Sequence, residues 1–91
     1  MNSKQERTLA AIFERPSRAD IKWSEVESLL LALGSELTEG RGSRIRIVLN
    51  DVRATFHKPH PRPVMNKSSV ESMRRFLTEA GEEPCSSTED T

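Results

Sequence analysis

In the stretch GRGSRIRIVLNDVRATFHKPHPRP, residues 40–63, the chain gathers Arg41, Arg44, Arg46, Arg53, Lys58 and Arg62. Both histidines, His57 and His60, lie there too, and only Asp51 opposes them. Residues 41–53 hold four arginines and no lysine. A guanidinium is a planar fork that matches phosphate and carboxylate oxygens, so this choice favours anion recognition. Histidine titrates near physiological pH and could move a proton beside an anion held by arginine. Arg41-Gly42-Ser43-Arg44 adds a glycine turn whose backbone N–H groups, between two guanidiniums, could cradle a phosphate. The H-x-x-H spacing of His57 and His60 supplies two metal ligands only. Cys85 is distant and no carboxylate is nearby, so neither a metal nor another cofactor is expected. Two plainer readings stand beside these. The arginines could serve solubility and edge protection, and His60, stiffened by Pro59 and Pro61, could simply hydrogen-bond its own loop.

These side chains need elements to hold them. Ile45, Ile47 and Leu49 alternate with Arg44, Arg46 and Val48, and Val52, Ala54 and Phe56 alternate with Arg53, Thr55 and His57. Such alternation is the pattern of half-buried strands. Asn50-Asp51 separates the two runs, and both residues tolerate the positive φ of a two-residue hairpin turn. That turn sets the register. Leu49 should face Val52, Ile47 face Ala54 and Ile45 face Phe56 on the covered side. On the solvent side Val48 should face Arg53, Arg46 face Thr55, and Arg44 face His57. A first strand is expected over Ser35–Glu39.

Three amphipathic segments flank the strands, each opening on a capping-box pattern: Ser3…Glu6, Ser24…Glu27 and Ser68…Glu71. The first carries Leu9, Ile12 and Phe13 and must stop near Pro16. The second carries Val26, Leu29, Leu30 and Leu33 and ends at Gly34. The third carries Val70, Met73, Leu77 and Ala80 and ends at Gly81. Trp23 is expected to staple the second helix or join the core, with base stacking as the alternative. The order predicts an α+β fold: a three-stranded antiparallel sheet with helices on one face, plus an extra N-terminal helix.

With 91 residues the chain has room for one small domain. Basic and acidic residues balance to a formal net charge of zero, which argues against a generic polyanion binder. The charge is nevertheless segregated. After Arg75 come Glu79, Glu82, Glu83, Glu89 and Asp90 and no base, and Arg74 and Arg75 read as balancing that tail. Cys85 is the only cysteine, so no intramolecular disulfide can form. No apolar run approaches the roughly 20 residues of a membrane span. The first residues lack a signal-peptide pattern, and a cytoplasmic protein is expected.

Read together, residues from about Trp23 to Gly81 resemble the HicA toxins of HicA–HicB toxin–antitoxin modules. The resemblance rests on a helix ending Leu33-Gly34, the turn Gly42-Ser43, the hairpin, Thr55-Phe56…His60-Pro61, and a last helix ending Leu77…Ala80-Gly81. It implies a fold similar to the double-stranded-RNA-binding domain, mRNA cleavage without a metal, and inhibition by a HicB-type antitoxin. It divides the chain into a domain over 1–81, with an N-terminal helix at 3–14 and a core at 23–81, and an acidic tail at 82–91. That tail is expected to be a disordered, solvating segment, or else to fold back and compete with RNA.

Many family members carry a histidine after Gly-Ser, taken to be catalytic; here Arg44 stands there. Arginine holds its proton too tightly to act as a general base, so His57, expected opposite, becomes the candidate base, with Arg44 and Arg46 as electrostatic clamps. Arg41, Arg46, Arg53, His60 and Lys67 are the candidate RNA contacts. Lys67 enters because the resemblance places the start of the last helix, with the Ser68 and Ser69 N–H groups and Arg62, on a phosphate track. Two other classes remain open: an RNA-binding module without nuclease chemistry, and an adaptor whose arginine face docks an acidic protein.

Overall fold

Alternating aliphatic and basic residues on either side of Asn50-Asp51 form the hairpin that the rest of the chain packs against. The computed structural model describes residues 2–59 and 63–84. The elements run α1 (Ser3–Ile12), β1 (Ile21–Lys22), α2 (Trp23–Ala32), β2 (Glu36–Glu39), β3 (Arg44–Leu49), β4 (Val52–His57), β5 (Val64–Met65) and α3 (Lys67–Glu79). Asn50 and Asp51 take φ of 50° and 69°, the left-handed pair that a tight hairpin turn requires. The register is the expected one at every pair from Leu49↔Val52 to Arg44↔His57. β2 pairs antiparallel with β3, Leu37 opposite Ile47 and Thr38 opposite Arg46, giving the order β2-β3-β4. The architecture is α+β, with the helices covering the aliphatic face of the sheet and α1 added at the N-terminus.

Helix ends follow local chemistry. α2 and α3 close in the same way. Gly34 and Gly81 adopt φ of +92° and +82°. Ser35 N–H donates to Leu30 O at 3.0 Å, and Glu82 N–H to Leu77 O at 2.8 Å. Both satisfy carbonyls that the last helical turn leaves free. Ser35 is thereby spent on the helix end, so β2 begins one residue later than expected. The helix starts depart further from expectation. The caps are Asn2, Lys22 and Asn66, not Ser3, Ser24 and Ser68. Asn2 and Gln5 form the reciprocal capping box of α1, at 2.9 Å each way. Asn66 Oδ1 accepts the Ser69 N–H at 2.8 Å. Asparagine caps as strongly as serine, and an earlier start adds helical residues. α2 has no side-chain cap: its N-cap residue Lys22 carries donors only and is itself paired into a short strand.

That pairing is a small ribbon the sequence pattern does not announce. Ile21 and Lys22 of β1 pair with Met65 and Val64 of β5, and Trp23 N–H donates to Pro63 O at 3.0 Å. The ribbon ties the starts of α2 and α3 together. Trp23 joins the core, 6% exposed, and is withdrawn from base stacking.

The core holds Ile45, Ile47, Leu49 and Phe56 from the sheet, Val26, Leu29 and Leu30 from α2, and Val70, Met73 and Leu77 from α3. Burying each such side chain contributes about 1.5–3 kcal/mol. Phe76, off the stripe read along α3, is also buried. Its ring meets that of Phe56 edge-on, centroids 6.2 Å apart, and fixes α3 over β4. α1 packs Leu9 and Ile12 on α2 and α3 and is tied by polar contacts. Arg74 does not balance the tail; it reaches the other way. Its guanidinium donates to Ile12 O and Glu14 O, both at 3.0 Å, and to Ser17 Oγ at 2.8 Å. Ser17 in turn donates to Glu71. In the connection to β1, hydrogen bonds from Arg18 at 3.0 and 3.2 Å hold the Asp20 carboxyl below its ordinary range.

Candidate functional site

The solvent face of the hairpin carries the arginines, and its hydrogen-bond phase decides how close they come. Lys58 N–H donates to Ser43 O at 2.7 Å, so Ser43 and Lys58 form a hydrogen-bonded pair just beyond the hairpin. Alternation then makes Arg44–His57, Arg46–Thr55 and Val48–Arg53 the non-hydrogen-bonded pairs. At such pairs the Cα atoms approach to about 4.5 Å and the side chains stand closest. Arg44 and His57 are therefore immediate neighbours, both exposed. β2 extends the middle row, so that Thr38, Arg46 and Thr55 lie side by side across three strands.

Arg41 sits on the turn between β2 and β3. Arg44 N–H donates to Arg41 O at 3.4 Å and Gly40 N–H to Arg44 O at 2.8 Å, which folds the turn over the end of the sheet. The Gly42 and Ser43 N–H groups take no backbone partner among the described residues. Arg41, Arg44 and Arg46 share a shallow hollow of about 300 Å3 with Thr38, Glu39, Gly40 and Thr55. Glu39 does not cancel their charge alone, because Lys58 Nζ pairs with its carboxylate at 3.0 Å.

The remaining candidates lie elsewhere. Arg53 is four residues from His57, about 13 Å along the strand, beside Val48 and with Glu36 across the row. Lys67 opens α3, exposed and outside the hollow. The cap on Ser69 N–H already consumes one of the amides expected to meet a phosphate there. His60, Arg62, Cys85 and the tail from residue 85 onward fall outside the described residues. Glu82 is anchored, accepting from Asn50 Nδ2 at 3.3 Å.

Thr38 and a groove beside α3 escape the sequence reading. Thr38 was legible in principle, since Leu37 turns inward and its neighbour must turn out. Ser68, Ser69, Ser72 and Arg75 of α3 border a second groove of about 330 Å3 along β4 with Arg53 and His57. No local signal in α3 points to it. Among the described residues no three metal-ligating side chains cluster, and no helix is long and apolar enough to cross a membrane.

Chemically, the face can hold an anion on two or three guanidiniums with an imidazole beside it. A family model described as "HicA toxin of bacterial toxin-antitoxin" matches residues 23–81, from the start of α2 to the glycine after α3. Comparison with curated proteins and with solved structures returns no match.

Proposed function

The chain belongs to the HicA family of toxins from bacterial toxin–antitoxin systems, and from that premise we propose that it cleaves RNA without a metal and is restrained by a HicB-type antitoxin. The observation that carries this reading is the close cross-strand pair of Arg44 and His57 on an exposed basic face.

The RNA backbone lies over the hollow, with phosphate oxygens on the Arg44 and Arg46 forks and Arg41 closing the end. His57 takes the proton of the adjacent ribose 2′-OH. The 2′-oxygen attacks phosphorus, the bond to the 5′-oxygen breaks, that oxygen takes a proton from water, and the hydroxide left takes the proton back from His57. The products are a 2′,3′-cyclic phosphate and a 5′-hydroxyl end. Charge that gathers on the phosphate oxygens in the transition state is met by guanidiniums already in place. Requiring a 2′-OH makes the reaction specific to RNA. Arg53 and Lys67 hold flanking phosphates.

Induced expression tests this directly. Wild type should arrest growth and degrade mRNA to cyclic-phosphate ends, and folded His57→Ala at equal abundance should do neither. Cleavage that survives His57→Ala but not Arg44→Ala would refute the assigned roles.

One observation favours a second reading, a binding module without cleavage. A working general base is normally oriented by a third group, and His57 makes no side-chain hydrogen bond among the described residues. Salt-dependent RNA binding with no product ends, from antitoxin-free protein, would establish that module instead.

A further inference from the structure

β4 is an outer strand of the sheet. Because Val52, Ala54 and Phe56 bond to β3, the backbone groups of Arg53, Thr55 and His57 point away from it. None of these groups has a backbone partner among the described residues. The open groove of about 330 Å3 runs along this edge, with Ser69, Ser72, Arg75 and Phe76 of α3 as its far wall. A free strand edge facing a helix across a groove is the arrangement in which extended peptides are added to sheets.

We infer that this groove takes an extended acidic segment of a partner protein as an added strand against β4. Donors and acceptors alternate along the edge. A peptide backbone offers both in return, whereas the phosphates of a nucleic-acid strand only accept. Charge sets the composition of the segment. Arg53 and His57 stand on the solvent side of the edge and Arg75 on the helix, and among the described residues that line the groove Glu79 is the one carboxylate. Carboxylates at alternate positions of the added strand would meet these cations, and small apolar side chains between them would turn toward Phe56 and Phe76. A second copy of β4 fits poorly, because antiparallel pairing centred on Thr55 would set Arg53 against His57. Strand addition does not depend on catalysis at His57. If His57 is the base, as proposed above, an added strand would lie directly beside it.

The probe is a short acetylated peptide alternating glutamate and valine, titrated into the full chain at low salt. Backbone chemical shifts and amide hydrogen exchange are followed residue by residue. Slowed exchange at Arg53, Thr55 and His57, with shifts at Ser72 and Phe76, is expected, and a lysine–valine peptide should produce neither. Thr55→Pro removes an outward N–H at an edge position that tolerates proline. It should weaken the acidic peptide by roughly three- to tenfold, the equivalent of one lost hydrogen bond. Arg75→Glu, on the helix wall, should also weaken it and gives an independent check if the proline variant does not fold. Shifts confined to Arg44 and Arg46, equal binding of both peptides, or stronger protection of the same amides by an oligouridylate would each overturn the inference. RNA cleavage is measured separately on the same protein. Cleavage without edge protection rejects strand addition alone, and edge protection without cleavage rejects the nuclease alone.

Discussion

An imidazole beside a guanidinium can hold and deprotonate a ribose phosphate only if strand pairing brings both to the same face. Here that condition is met by Arg44 and His57. The two side chains make different contributions, and kinetics can separate them. His57→Ala should lower the cleavage rate by roughly 10²–10⁴-fold, the usual contribution of a general base, with RNA affinity nearly unchanged. Arg44→Ala should lower both affinity and rate, because its charge acts on the bound phosphate as well as on the transition state. Single-turnover cleavage and filter binding on the same RNA distinguish these outcomes. A lysine at position 44 should restore affinity better than rate, since an ammonium is a point charge without the fork. This adjacency was legible in the sequence because a two-residue turn leaves one register in which Ile45, Ile47, Leu49 and Phe56 all turn to the covered face. Arg75 was not legible as a groove residue, because its placement depends on how α3 lies across β4.

At the scale of elements, two contacts between distant segments set the position of the hairpin and of α1. Asn50 supplies both the left-handed turn and a bond from Nδ2 to Ala80 O at 2.8 Å, which pins the turn to the end of α3. Asn50→Gly keeps the φ and loses the bond, and should cost about 1 kcal/mol. Asn50→Ala loses both and should cost about 1–2 kcal/mol more. Urea unfolding of the two variants separates the terms, provided the slope is unchanged. Arg74 closes the C-terminal end of α1 from α3. Arg74→Ala should destabilise the fold by about 1–3 kcal/mol through the carbonyls left unpaired. It should also speed amide exchange in α1 before the sheet responds, with RNA cleavage retained. The helix starts show where local reasoning stops short. A Ser-x-x-Glu pattern is compatible with the first turn of a helix as well as with its cap, and only the strand pairing of Lys22 and the side chain of Asn66 settle which residue begins it.

Over the whole molecule, a net charge of zero conceals a sheet face rich in arginine and a C-terminal segment without bases. RNA bound to that face should release counterions, so the logarithm of its affinity should fall linearly with log salt, with a slope of about 0.7 per phosphate engaged. Arg46→Ala should reduce that slope by about 0.7, one contact's worth, across RNA sequences of different composition. An unchanged slope would take Arg46 off the phosphate path. The sequence by itself determined the strand register, the basic face, the three helices with the glycine ends of α2 and α3, and a family resemblance over the span the family model covers. These depend on periodicity and turn chemistry, which act over a few residues. The tertiary structure alone decided the β1–β5 ribbon, the turning of Arg74 toward α1, the burial of Trp23 and Phe76, and the groove between β4 and α3. Each of those joins residues far apart in the chain. Their meeting depends on how packed faces share one core, and no local pattern encodes that.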